Sequence, residues 1–184
     1  MKRQNITRIL LIAALMLSSA GLFGQTATGV INGQLINKNG IALIFDTDPA
    51  GVPLGNSGTS AASVNFGNIS AFGALSAGVT RPSVTAANFT VQTIFDVNVN
   101  QGGLASLSYT LTANLAAAAP AGFTYKIDAV TLTTAAQTIS ATGTYNTDVA
   151  HNLGLVVLTA APGAGGPAVG SPITATINFT ATAN

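Results

Sequence analysis

Apolar and polar residues alternate with a period of two along most of this chain. In residues 89–100, Phe89, Val91, Thr93, Phe95, Val97 and Val99 share one face. Thr90, Gln92, Asp96, Asn98 and Asn100 share the other, with Ile94 as the exception. That is the pattern of a strand buried on one side. The same alternation places Leu107, Tyr109, Leu111 and Ala113 opposite Ser108, Thr110, Thr112 and Asn114. It also places Ile173, Ala175, Ile177, Phe179 and Ala181 opposite Thr174, Thr176, Asn178, Thr180 and Thr182. Further strands are predicted at 29–36, 41–45, 63–69, 125–132, 138–144 and 153–159.

Turn chemistry divides these runs. QGG at 101–103 predicts a hairpin turn between the two central runs, and NKNG at 37–40 predicts a hairpin joining 29–36 to 41–45. DPAGVPLGNSG, APAG and APGAGGPAVGSP read as loops. ANLAAAAP has the composition of a helix of about two turns, which Pro120 would end. About eight to ten short strands separated by turns make an all-β sandwich the expected fold.

The N-terminus changes this picture only at its margin. Lys2, Arg3 and Arg8 precede an apolar run over 9–17, and Ser18 and Ala20 form a small-x-small pattern. This is the layout of a bacterial export signal, cut after Ala20 or else after Gly24. A membrane-spanning helix needs roughly 20 apolar residues, so a stable anchor is not expected. LFGQ has Gln25 where a lipobox has cysteine, which excludes thioether lipidation. The expected division is a signal at 1–20 and one β-sandwich domain at 21–184.

Of six basic and five acidic residues in the full chain, Lys2, Arg3 and Arg8 fall in the signal. Lys38, Arg81 and Lys126 then face Asp46, Asp48, Asp96, Asp128 and Asp148, a mature balance of 3 − 5 = −2. So few cations exclude nucleic-acid binding, which requires many phosphates to be neutralised. The chain has no cysteine, so an exported domain must be held by its core and its backbone ladders.

Chemistry-bearing residues are sparse. His151 is the sole histidine and the one available base for a nucleophilic hydrolase. Asp148 is its local partner by sequence, and a polar loop position is its simplest reading. Asp46 and Asp48 are spaced as oxygen ligands in a loop, but the remainder of a calcium loop is lacking, and turn capping is the simpler reading. A glycosidase would need two convergent carboxylates, and no aspartate lies in an aromatic-lined segment. Three glycosylation sequons, at Asn68, Asn88 and Asn178, fall in predicted strands and read as chance. No cofactor, metal site or catalytic set is expected.

Three segments together resemble secreted bacterial pilin-like domains of the spore-coat-U and related fimbrial families: SVNFGNISAFG (63–73), TGTYNTDVAHNLG (142–154) and the closing INFTATAN. Unlike many members, this chain lacks cysteine. The resemblance implies an immunoglobulin-like antiparallel sandwich missing one strand. A periplasmic chaperone supplies that strand first, and the N-terminal extension of the next subunit supplies it afterwards, with an usher in the outer membrane.

The candidate donor lies within 21–37, where Val30, Asn32 and Gln34 alternate with Ile31, Gly33 and Leu35. Against it stands the reading that NKNG favours: an ordinary first strand of its own sheet, hairpinned onto 41–45. The residues expected to carry assembly are Val30, Ile31, Gly33 and Leu35 on one side and Ile173, Ile177 and Phe179 on the other. The leading expectation is an exported, non-enzymatic structural subunit of a surface fibre, pilus or coat, self-associating or joining related subunits. A secreted adhesin-type module binding through loops at 45–60 and 160–171 is the alternative, and a hydrolase built on His151 stands third.

Overall fold

A computed structural model describes residues 25–35, 41–103, 105–159, 170 and 172–184. Among these, eleven strands form two facing sheets. They are β1 (Gln25–Leu35), β2 (Ile41–Asp46), β3 (Ala61–Ile69), β4 (Thr80–Val84), β5 (Asn88–Gln101), β6 (Tyr109–Leu115), β7 (Phe123–Ile127), β8 (Val130–Thr131), β9 (Gln137–Gly143), β10 (Val149–Leu158) and β11 (Ile173–Ala183). Sheet A has the order β3-β1-β11-β6-β9. Sheet B has the order β2-β5-β10-β7-β8, with β4 on the same side of β5 as β2. Every pair is antiparallel except β1 with β11, which is parallel. The expected all-β sandwich is present, with one parallel pair. The predicted signal and its cleavage points lie outside the described residues.

Period-two burial builds the core. Phe89, Val91, Thr93, Phe95, Val97 and Val99 are all buried, as are Ile173, Ile177, Phe179 and Ala181. Phe45, Phe95 and Phe179 form its aromatic centre. The Phe179 ring meets Phe45 edge-on at 5.3 Å and Phe95 at 6.0 Å, the offset geometry that ring quadrupoles favour.

Several sequence expectations fail here, each for a local reason. β1 and β2 do not pair with each other, since β1 lies in sheet A and β2 in sheet B, so the hairpin expected from NKNG is not formed; NKNG itself lies outside the described residues. QGG likewise leads from β5 in sheet B to β6 in sheet A. A tight-turn signal specifies reversal of the chain, not the sheet it returns to. The predicted strand at 125–132 is broken at Asp128, whose φ of 54° no strand can hold. Leu107 precedes β6 and is 94% exposed. ANLAAAAP ends β6 and continues as bends and irregular backbone, without a helix.

β4 is not among the predicted strands. Pro82 and a non-alternating sequence conceal it, and it pairs with β5 through an irregular register. The loop expected at 45–60 is tied to both sheets. Phe45 N donates to Thr59 O (2.9 Å) on the β2 side, while Gly55 and Ser63 exchange two bonds of 2.9 Å on the β3 side. This strap closes one flank of the sandwich.

Candidate functional site

The parallel pairing places β1 inside a sheet. From Ala27 to Leu35 it runs in register with β11 from Ile173 to Ala181, and on its other side it pairs with β3. A bulge at Phe66–Gly67 interrupts the β3 ladder, where Gly67 adopts a φ of 65°. Without β1, sheet A would separate into β3 and a β11-β6-β9 remainder.

The predicted assembly residues meet along this seam. Ile31 is fully buried in register with Ile177, and Gly33 lies in register with Phe179. Ile173 pairs with Ala27 and Leu35 with Ala181, both as ladder positions. Val30 is the outward member, 43% exposed. The structure therefore brings all seven positions together on β1 and β11, with Val30 on the solvent side and Ile31, Gly33, Ile173, Ile177 and Phe179 along the inward-facing alternation.

Two glycines on the inward face of β1 behave oppositely. A Cβ on Gly33 would lie 2.6 Å from Leu43 Cδ2 and 3.1 Å from Ser60 O, with Phe45 Cε2 at 3.4 Å. That position is full. A Cβ on Gly29 would meet only carbonyl oxygens of Ala175 and Val64 at 3.9 Å. Gly29 borders a small apolar cleft between the sheets, shared with Phe66, Tyr125, Leu155 and Ala175. The buried Tyr125 hydroxyl has no hydrogen-bond partner, and burial pushes its phenol up to about 12. No sequence pattern distinguishes these two glycines; only the opposite sheet does.

His151 is not in a loop. It lies on β10, its side chain 7% exposed, with Nδ1 and Asp128 Oδ2 2.8 Å apart and its ring 6.2 Å from that of Phe95. Asp128, not Asp148, is its partner. Asp128 also accepts from Asn152 N (2.9 Å) and donates its own N–H to Asn152 O (2.8 Å), extending the ladder one step past β7. Burial raises the Asp128 carboxyl, but the bonds from His151 and Asn152 outweigh it and hold the group below the ordinary carboxylate range.

Asp48 caps a turn, as expected, whereas Asp46 ends β2 and bonds across the loop. Asp48 Oδ1 accepts from Ala50 N (2.6 Å), and Asp46 Oδ1 accepts from Ser57 Oγ (3.3 Å). Asp46 stands in register with Asp96. Burial, then the charges of Asp48, Asp148 and Asp46, raise the Asp96 carboxyl. Among the described residues no group of three or more such side chains is arranged to hold a metal.

No protein-family model matches the chain, and no curated protein matches it. Among solved structures, the T-13 major pilin of Streptococcus pyogenes aligns over 90% of this chain and 100% of its own, at 10% identity and a TM-score of 0.14. Nothing about this chain follows from so low a score, and the spore-coat-U resemblance rests on its short motifs.

Proposed function

We propose that this protein is an exported structural subunit of a surface fibre, pilus or coat, which assembles by exchanging β1 between copies. One observation carries the reading: β1 is an internal strand of sheet A, paired along both sides, yet its chain continues into the opposite sheet. A strand so placed contributes two ladders and a buried Ile31 without depending on its own sheet for connectivity. The same seat between β3 and β11 accepts β1 of a neighbour with identical contacts. Strand addition of this kind takes its affinity from main-chain bonds and its specificity from alternate side chains. Ile31 and Gly33 are those alternate positions.

The low charge and the Thr- and Asn-rich outer faces suit a surface that packs against copies of itself. A chaperone that fills the seat before assembly, and an usher, are the partners this reading calls for. The test is unheated SDS electrophoresis of surface material, with a tagged peptide of residues 25–36 added during refolding of the purified chain. A multimer ladder that collapses on heating, with peptide incorporated, is expected. Monomer in the unheated lanes and no incorporated peptide overturn the reading.

A binding module has one observation in its favour. Phe72 is 65% exposed on a short loop that Arg81 clamps, its Nε donating to Ser70 O (3.0 Å) and its Nη2 to Gly73 O (2.8 Å). Rigid exposed aromatics serve as anchors in interfaces. Retention on a glycan or protein surface that Phe72→Ala abolishes would favour this second reading.

A further inference from the structure

The edges of the two sheets are not equally protected. Exposed strand edges invite pairing with other chains, and proteins block them with charge, proline, bulges, short length or covering segments. In sheet B, β4 carries Arg81 and Pro82, β2 carries Asp46 and is bonded to the strap at Phe45, and β8 is two residues long. In sheet A, the β3 edge is occupied by Gly55 at Ser63 and kinked by the bulge at Gly67.

β9 is bulged against β6, but it lacks the charge and the proline of those edges and runs for seven residues. Gln137–Gly143 reads QTISATG, with no charge, no proline and its single glycine at the end. Its ladder is with β6 alone, on one side, through two register shifts. Thr138, Ala141 and Thr142 are exposed. Uncharged, β-prone segments of six or seven residues are the ones that pair between chains.

We propose that β9 is a dimerisation edge, on which β9 of a second copy pairs antiparallel across a two-fold axis and joins two A sheets into one. The occupant follows from the other edges. A partner must bring a strand that neither charge, proline, the strap nor short length obstructs, and among the described residues β9 is the edge that meets this, so the contact is self-complementary. A two-fold contact also sets like residues near one another, which penalises any charge on the strand. β9 carries none. The dimer needs each copy folded with β1 seated, so it stands or falls separately from β1 exchange.

The test uses protein expressed from the full-length coding sequence and measured by sedimentation velocity across a concentration series. A reversible monomer–dimer equilibrium is expected. Thr138→Lys with Thr142→Lys should weaken it at least ten-fold, while Thr174→Lys with Thr182→Lys, at exposed positions of β11 inside the sheet, should leave it unchanged. Because the chain is free of cysteine, Ser140→Cys offers a second measurement that tolerates poor folding of the lysine variant. Mild oxidation should link it into dimers, whereas Asn65→Cys on β3 should stay monomeric. A wild type that is monomeric throughout the series, or equal linking at Asn65 and Ser140, overturns the proposal.

Discussion

The seat of β1 makes a prediction of opposite signs at two glycines four residues apart on one strand. Gly29→Ala adds a methyl beside an apolar cleft, with its nearest neighbours at 3.9 Å, an ordinary contact. Burying one such group contributes about 0.8 kcal/mol, and restricting the unfolded chain adds about 0.4–1 kcal/mol. The expected gain is therefore about 1–2 kcal/mol.

Gly33→Ala drives its methyl against Leu43, which is 2% exposed, and against the backbone oxygen of Ser60. The leucine tip has little room to yield and the carbonyl has less. Overpacking of this kind costs about 1–3 kcal/mol. For a chain of this size 1 kcal/mol moves Tm by about 2–4 °C. Gly29→Ala should thus raise Tm by about 2–8 °C, and Gly33→Ala should lower it by about 2–12 °C. Urea unfolding followed by far-UV circular dichroism reads both, at a concentration low enough to keep each variant monomeric. Equal signs at the two positions, or a neutral Gly33→Ala, would mean that β1 does not lie in this register, since a one-residue slip exchanges its inward and outward faces.

Three further outcomes follow from single groups. Tyr125→Phe removes a buried hydroxyl without a partner and should stabilise the fold by about 1 kcal/mol, measured by urea unfolding; a loss of stability would reveal a bond to that hydroxyl. Asp128→Asn should cost about 1–3 kcal/mol at neutral pH by weakening the bond to buried His151. Because the folded Asp128 carboxyl titrates below its unfolded value, its contribution is present above the ordinary carboxylate range and fades as pH falls through the lowered folded value; a difference from wild type that grows in acid would refute this. Asp96 has the reverse sign, its folded carboxyl being raised by burial and by Asp48, Asp148 and Asp46. Its charge weakens the fold at neutral pH and the penalty is relieved on acidification, so Asp96→Asn should stabilise by about 0.2–1 kcal/mol at pH 7 and by less in acid, read from melting curves at both pH values.

Much of the fold was legible because burial on one face writes itself into the sequence at period two. Alternation alone places Phe89 to Val99 and Ile173 to Ala181 inward, and their alternate residues do face the core. What alternation omits is the partner. Nothing in NKNG or QGG says that the next strand joins the other sheet, because a β-arch and a hairpin use similar turn residues. Alternation marks Ile31 and Phe179 as candidate assembly residues, but their relation through a parallel β1–β11 pair depends on residues far apart in the chain. The polar features were the least visible. His151 reads as a loop histidine until Asp128 is brought to it by a left-handed turn, and the crowding at Gly33 is set by Leu43 and Ser60.

The parallel β1–β11 ladder also fixes an order of events. Ile31 and Ile177 face each other across 177 − 31 = 146 positions of sequence, so their pairing must await most of the chain. Long-range pairing of this kind slows folding to about milliseconds or longer, because loop closure is lost before any contact rewards it. β3 lies near in sequence and can zip onto β1 early, leaving the far side of β1 bare until β11 arrives. During that interval the concentration of neighbouring chains competes with the chain's own closure. Crowding at the moment of folding, more than the depth of the final energy minimum, would then decide whether β1 ends in its own molecule or in the next.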